Sequence, residues 1–232
     1  MRKFLFAATA LSGLLAFAGS ASAADPVVES APAYDWTGPY LGVQGGYGWG
    51  EVDGSTAISD THNIDDFSGI LDNANGYLIG GTLGYNYQMD NIVIGLEADV
   101  SYSTINDEFV DPEPEWRTDL DWIATVRPRI GFAMDNFLPF ITGGLAIGDM
   151  TLEAFDNFAP GDPPSKDSNT MIGWTIGAGL EVAVTENLSV KAEYNYVDFG
   201  KEDFDLRDNA FFGVENRDMD IHLVKFGVNW QF

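Results

Sequence analysis

The chain has 232 residues, 36 of them acidic against 11 basic, and its formal net charge of −25 argues against a nucleic-acid partner. It contains no cysteine, which excludes both a disulfide bond and a lipid anchor on a cleavage-site thiol. Beyond Ala24, no stretch reaches the roughly 18 to 20 consecutive apolar residues that a membrane-spanning helix needs. Any passage through a membrane must therefore be made by strands.

The amino terminus has the three parts of a secretory signal. A basic pair, Arg2-Lys3, comes first, and an apolar core follows it up to about Phe17. Small residues then lead to Ala23 and Ala24. These features predict that residues 1–23 are a signal peptide, cleaved between Ala23 and Ala24, and that the mature chain is exported.

The mature chain begins with a segment of different composition from the rest. Residues 24–35 are rich in Pro and Ala, which predicts a flexible lead-in on the periplasmic side. From there on, apolar residues alternate with small or polar ones, the period of two that is typical of strands with one apolar face. The predicted strands are 40–50, 76–88, 92–102, 120–132, 137–149, 172–182, 188–196 and 220–232. The fifth is apolar on both faces, so its two sides stay unassigned.

The connections between these strands alternate in length. Short turns fall at 89–91, 134–136 and 185–187, and long connections fall at 51–75, 103–118, 151–169 and 198–219. Three short and four long connections fit an even-stranded barrel whose two chain ends both lie in the periplasm. Strands of about 10 to 12 residues, tilted by about 40°, span about 25 Å, the height of an outer-membrane apolar band. We therefore predict an all-β fold for residues 36–232: an eight-stranded antiparallel up-and-down transmembrane β-barrel in the outer membrane.

The last predicted strand closes this barrel and ends at an aromatic residue, Phe232. Its apolar face begins at His222 and also carries Phe226 and Trp230. Aromatic residues at strand ends suit the interfaces of a membrane barrel. The pattern resembles the terminal signature that the bacterial outer-membrane assembly machinery reads. This predicts Phe232 as an assembly signal and the assembly machinery as a partner of the last strand.

If the apolar faces contact lipid, the opposite faces fill the barrel, and these carry four acidic and four basic residues. They are Glu97, Asp99, Arg127, Arg129, Glu181, Lys191, Glu193 and Lys225. A balanced set suits a low-dielectric interior, because an unpaired buried charge costs several kcal/mol. A soluble lipocalin-like barrel would instead turn its apolar faces inward. We therefore predict a network of paired charges, with Glu97 and Asp99 next to Arg127 and Arg129, inside a lumen filled by side chains.

Most of the remaining acidic residues lie in the long connections. Clusters that could bind Ca²⁺ or Mg²⁺, and so bridge the loops to each other or to lipopolysaccharide phosphates, are Asp65-Asp66, Asp107-Glu108 with Asp111, and Glu202-Asp203 with Asp205. No stretch has the spacing of a defined Ca²⁺ loop. The alternative is that acidic loops only keep the surface hydrated.

Catalytic motifs are missing from the sequence. Lipid A deacylases of similar size use a His two residues before a Ser, whereas His222 is followed by Leu223-Val224. The other histidine, His62, has no partner in the first long connection. No nucleophile with a placed base, phosphate-cradling loop or cofactor motif is present. The prediction is therefore a chain without enzymatic activity, cofactor or metal, with His222 as an interfacial residue.

Several stretches together resemble a known family. They are Tyr34 to Val43, Gly45 to Gly50, Gly143 to Ala146, Gly173 to Gly179 and Glu193 to Gly200. They are similar to the small outer-membrane proteins of alphaproteobacteria, the family of RopB and the Brucella-type major outer-membrane antigens, which carries the label of a porin family. The resemblance implies an eight-stranded outer-membrane barrel, abundant at the surface, that contributes to envelope integrity and to contact with the host or environment. It supplies no catalytic residues.

The predicted function is therefore a non-enzymatic barrel that strengthens the outer membrane, contacts its lipid and lipopolysaccharide, and presents acidic loops outward. Two alternatives stay open. One is loop-mediated binding of a cation, a haem-like ligand or a host surface, since some members of the family are described as haemin-binding, although no residue motif carries this over. The other is a narrow porin-like channel.

Overall fold

A computed structural model describes residues 34–56, 71–109, 116–154, 165–205 and 214–232. The predicted signal peptide, with its cleavage site at Ala23 and Ala24, lies outside these residues. So does the predicted lead-in, apart from Tyr34 and Asp35, which contact the barrel.

Eight strands make up the described chain. They are β1 (Gly38–Thr56), β2 (Leu71–Met89), β3 (Ile92–Phe109), β4 (Trp116–Phe132), β5 (Phe137–Ala154), β6 (Ser165–Ala183), β7 (Leu188–Asp205) and β8 (Val214–Gln231). Each pairs antiparallel with the next, and β8 pairs with β1, where Gln231 lies opposite Tyr40, so the barrel is closed. The predicted all-β, eight-stranded up-and-down barrel is confirmed. No helix within the described ranges is long and apolar enough to cross a membrane.

The strands are longer than predicted, because each runs past its expected outer end. They contain 17 to 19 residues, and only 57–70, 110–115, 155–164 and 206–213 of the predicted long connections lie outside the described ranges. The extra residues do not continue the outward apolar face: Met150 of β5 and Val197 of β7, for example, are buried inside. Asn106 still pairs with Asp119 there, and Asp198 with Asp220. The periodicity therefore recorded only the lipid-facing part of each strand.

Most strand faces lie as predicted, with apolar side chains outward: Val43 is 68% exposed and its neighbour Gln44 only 4%. The unassigned fifth strand places Leu138 and Phe140 inside and Ile141 and Leu145 outside. One prediction for the fourth strand was wrong. Leu120, expected on the lipid side, is buried inside, because a register shift between Leu120 and Trp122 interrupts the alternation. A one-residue shift moves a strand side chain to the opposite face.

The three short turns share one stabilising contact. Each contains an Asn whose side chain donates to a carbonyl at the next turn or chain end: Asn91 to Ala133, Asn136 to Ala183, and Asn187 to Gln231, with N···O distances of 3.0, 3.2 and 3.0 Å. Asp90 and Asp135 precede two of these Asn residues and have φ of 53°, which short polar side chains tolerate. These contacts join neighbouring hairpins around the rim of short turns, the end that the sequence predicts to be periplasmic.

Candidate functional site

The centre of the lumen is organised around Arg127, whose side chain is fully buried. It lies opposite Glu97 in the β3–β4 ladder, and its Nη2 is 2.8 Å from Glu97 Oε1 and 3.0 Å from Asp99 Oδ2. Its Nη1 reaches across the lumen to β7, where it donates to Glu193 and Asn195. One guanidinium therefore ties two adjacent strands to a distant one, which its fork of five donors allows.

Glu97 is the most connected carboxylate in the lumen. Both of its oxygens accept from Lys191 Nζ at 2.8 Å, and one also accepts from the Tyr40 hydroxyl at 2.8 Å. Arg129 Nη1 lies 3.4 Å from the same carboxylate. Glu97 therefore contacts β1, β4 and β7 from its position on β3, so the network crosses the lumen as well as following the sheet.

Arg129 links this centre to a second carboxylate. Its Nη2 is 2.7 Å from Glu181 Oε2 on β6, and its guanidinium lies 4.2 Å from the ring centroid of Phe140. Glu181 also accepts from Ser189 and from Asn229, whose Nδ2 is 2.7 Å away. An arginine over an aromatic face gains a further electrostatic attraction.

Lys225 and Asp99 complete the set. Lys225 Nζ is 3.3 Å from Asp99 Oδ1, and Lys191 Nζ is 3.3 Å from Glu193 Oε2. Asp99 accepts further from Gln44 and Thr125. The structure thus brings all eight predicted lumen residues into one layer, where none is more than 6% exposed. The alternation in the sequence also places the polar partners of these charges, such as Gln44 and Thr125, on the inner faces. It does not predict which charged side chain each of them contacts.

Sequence reasoning missed two apolar layers that enclose the charged one. The outer layer consists of Ala74, Leu78, Ile105, Leu120, Ile123, Ala146, Met150, Met171, Val197, Phe199, Met219, Ile221 and Leu223. The layer at the short-turn end, called the periplasmic layer after the predicted orientation, consists of Trp36, Val93, Ala133, Leu138 and Ala183. The sequence did contain a signal for these layers, because the fifth predicted strand is apolar on both faces. A strand with an apolar inner face indicates that part of the lumen is filled by apolar side chains.

Trp36 closes the mouth of the barrel at the short-turn end although it precedes the first strand. Its side chain is 1% exposed, and its backbone N–H donates to Gln88 Oε1 at 2.9 Å. The Tyr34 ring packs edge-on against it at 4.6 Å, and the Tyr34 hydroxyl donates to Gln231 Oε1 at 3.1 Å. Burial raises the pKa of the Tyr34 hydroxyl, so the group stays a hydrogen-bond donor. Residues 34–36 therefore act as a stopper that fills this mouth of the barrel, and hydrogen bonds to Gln88 of β2 and Gln231 of β8 hold them in place.

The predicted assembly signal, Phe232, lies beside this stopper at the seam between β1 and β8. Its side chain is exposed, and its backbone N–H donates to Pro39 O at 3.1 Å. Gln231 Nε2 donates to the carbonyls of Asp35 and Thr37, at 2.9 and 3.0 Å. The last two residues are therefore hydrogen-bonded to residues 35–39 of the same chain in the closed barrel.

The lipid-facing wall carries the described histidine, His222. The Tyr194 hydroxyl lies 2.7 Å from His222 Nδ1, and the imidazole stacks on Trp49 with ring centroids 5.6 Å apart. Aromatic residues at this level are typical of the membrane interface. His62, Asp65-Asp66 and Asp111 lie outside the described residues, and the structure gives only backbone positions for the other two acidic clusters. In the parts of the chain that it describes, no three His, Asp or Glu side chains are placed to hold a metal ion.

Comparisons with known proteins agree with this architecture. The family of the outer membrane protein beta-barrel domain matches residues 9–232. The chain is 36% identical over 235 residues to the 31 kDa outer-membrane immunogenic protein of Brucella melitensis, covering 93% of this chain and 95% of that protein. It is 34% identical over 203 residues to the 22 kDa outer membrane protein of Rhizobium leguminosarum bv. viciae, covering 87% and 80%.

Among solved structures, the outer membrane protein OprG of Pseudomonas aeruginosa superposes with a TM-score of 0.51 at 15% identity, covering 86% of this chain and 99% of that one. This likeness concerns the fold alone. The matches to the Brucella and Rhizobium proteins, in contrast, are matches of sequence, and each covers at least 80% of both proteins compared. The chain therefore belongs to the family of the outer membrane protein beta-barrel domain, and it is a protein of the bacterial outer membrane.

Proposed function

We propose that this protein is a non-enzymatic, non-conducting barrel that contributes to the integrity of the outer membrane and presents its acidic loops at the cell surface. The observation that carries the proposal is the filled lumen. An ion on its way through would have to cross two apolar layers, where it loses its hydration, and a charged layer whose side chains are already paired. A narrow channel is therefore the less favoured alternative.

The length of the strands supports surface presentation. A membrane strand needs about 9 to 11 residues, whereas these have 17 to 19 and a barrel height of about 40 Å. The sheet thus continues past the apolar band and carries the connections away from the lipid. Two of the similar Brucella proteins are named outer-membrane immunogenic proteins, which fits exposure of this end.

The proposed partners follow from position. The apolar wall contacts outer-membrane lipid, the outer strand ends lie at the level of lipopolysaccharide, and the last strand with Phe232 is the segment offered to the assembly machinery. Divalent cations are proposed for the acidic loops only. If millimolar Ca²⁺ leaves both the melting temperature and the loop protease sensitivity unchanged, the cation proposal fails.

Conductance of the refolded mature protein in planar bilayers tests the closed lumen. Heat-modifiable gel mobility must first show that the barrel has formed. We expect no steady conductance from the folded protein. Reproducible single channels would overturn the closed lumen and make transport the function to pursue.

The structural role is tested in the native host. Cells lacking this protein should take up more of a lipophilic dye and grow less well in detergent than the parent. Complementation with a variant in which residues 57–70 are replaced by a short turn separates the two parts of the proposal. We expect this variant to restore dye exclusion and detergent resistance, because the proposal assigns the barrier to the barrel and not to the loop. An unchanged barrier in the deletion strain would refute the structural role.

A further inference from the structure

The seam between β6 and β7 is only partly closed. At the end of the barrel opposite the short turns, its ladder stops at Trp174 opposite Asp198. Within the described ranges, residues 165–173 of β6 and 199–205 of β7 have no partner across this seam. At each of the other seams, at most four residues of either strand are left unpaired at this end.

Both strands nevertheless continue as part of the sheet on their other sides. β6 stays paired with β5 up to Ser165 opposite Ala154, and β7 stays paired with β8 up to Asp205 opposite Val214. The wall therefore contains a slot, bordered by the free strand edges 165–173 and 199–205.

A bulge in β7 opens the slot. β7 has one residue more than β8 between Asp198 and Lys201, and Gly200 in this interval has φ of 66°. The Gly200 N–H donates to Asp198 Oδ1 at 2.8 Å. A glycine in the left-handed region is typical of such a bulge, and a bulge bends its strand. Beyond Asp198, β7 therefore follows β8 and leaves β6.

The slot rises from the edge of the lipid-facing wall and does not open the lumen. At its lower end Ile172 and Trp174 are exposed and apolar, whereas Thr170 and Ser168, further out, are exposed and polar. Met171 is buried in the outer apolar layer, so the interior behind the slot is filled. A ligand in the slot reaches neither the lumen nor the acyl chains of the membrane.

The free edges determine the kind of ligand. Every second residue of an edge directs its N–H and C=O to the unpaired side, so each edge offers about three or four such residues in a row. An extended peptide carries donors and acceptors at the same spacing and can join a sheet as a further strand. The sugars and phosphates of lipopolysaccharide do not repeat donors and acceptors in this way.

The charge around the slot selects among peptides. Beyond the level of Asp198, strands β5 to β8 carry eight acidic and three basic residues: Asp149, Glu153, Asp167, Glu202, Asp203, Asp205, Glu215 and Asp218 against Lys166, Lys201 and Arg217. A basic segment is attracted to this surface. A second copy of this chain, with its formal net charge of −25, is repelled by it.

We propose that the slot binds one extended, basic peptide segment of another protein at the cell surface, which pairs with the free edge of β6 as an added strand. β6 is the better partner of the two edges, because its pairing with β5 is regular over residues 165–173, whereas the bulge bends β7. The site consists of strand edges beyond the lipid and is therefore independent of the closed lumen.

Binding of a fluorescent peptide to the refolded protein, in an uncharged detergent without lipopolysaccharide, tests the proposal. The probe alternates lysine and threonine and is as long as the β6 edge. One control peptide has glutamate in place of lysine, and the other has the lysine sequence with every backbone nitrogen methylated. We expect no binding of the glutamate peptide and about tenfold weaker binding of the methylated one, which keeps its charge but cannot donate to a ladder. Equal affinity of the two lysine peptides would overturn strand pairing.

Amide hydrogen exchange of the native chain locates the peptide. The lysine peptide should slow exchange within residues 165–173 and leave residues 71–75, at the outer end of the β2–β3 seam, unchanged. Equal protection of the slot by purified lipopolysaccharide would assign it to that ligand and overturn the proposal. Protection that appears without peptide and rises with protein concentration would instead assign it to a second copy.

Two deletions test the slot itself. Deletion of Gly200 removes the extra residue of the bulge, which should let β7 run along β6 and weaken peptide binding about tenfold. Deletion of Thr104 is the matched control, because it removes the extra residue of the bulge between Tyr102 and Ile105 on β3, away from the slot. Heat-modifiable mobility checks that both variants fold. If the folded Gly200 deletion binds the peptide as well as the Thr104 deletion does, the slot is not the site.

Discussion

The charged layer at the centre of the lumen and the apolar layer beyond it are built on the same strands and are equally buried, yet they depend on different forces. In the charged layer, each group has defined partners. The single side chain of Arg127, for example, contacts the three carboxylates of Glu97, Asp99 and Glu193. In the apolar layer, Met150, Met171 and Met219 contribute contact area without direction. The charged layer should therefore be sensitive to chemistry and the apolar layer to volume.

The largest expected effect is the loss of Arg127. Arg127→Met keeps much of the volume but leaves three carboxylates without their shared cation, and it should lower the free energy of unfolding by about 3 to 5 kcal/mol. Urea unfolding in lipid vesicles, followed by gel mobility, measures this. Adding Glu97→Gln to Arg127→Met should recover part of the loss, because it removes one of the unpaired charges. An unchanged midpoint for Arg127→Met would contradict the idea that the layer depends on paired charge.

A smaller effect is expected for the periplasmic layer. Trp36→Ala empties the mouth of the barrel and should cost about 2 to 3 kcal/mol, below the usual range for a buried Trp because the stopper lies at a chain end. The same unfolding experiment applies. Trp230→Ala, which removes an indole from the lipid-facing wall, is the matched control and should cost less. If the two variants unfold alike, Trp36 is not acting as a stopper.

The smallest effects on stability are expected for substitutions in the outer apolar layer, where they test whether side-chain volume alone matters. Met171→Ala should cost about 2 kcal/mol, since it leaves a cavity, whereas Met171→Leu should cost less than about 1.5 kcal/mol, because it keeps volume and apolar character. Both are measured as shifts of the urea midpoint. Equal losses for Ala and Leu would mean that this layer, too, depends on the chemistry of its side chains and not only on their volume.

Much of the fold could be predicted because lipid imposes a simple rule on each strand. A wall that contacts lipid must be apolar at every second residue, and this alternation located the eight strands. Glu97, Arg127 and Lys191 fall between the apolar positions of their strands, so the same alternation placed them inside. The rule ceases where the lipid ends, and the outer strand ends were accordingly missed. It also fails at a bulge, which is why Leu120 was assigned to the wrong face.

The sequence by itself thus determined the number of strands, their order, the lipid-facing side of most of them and the charge balance of the interior. Only the tertiary structure decided which charges meet across the lumen. Arg129 binds Glu181 on β6 and Lys191 binds Glu97 on β3, between strands that are not paired in the sheet. Trp36 fills a mouth that exists only after the barrel has closed. Alternation acts residue by residue along one strand, whereas these contacts depend on the tilt, register and closure of all eight strands together.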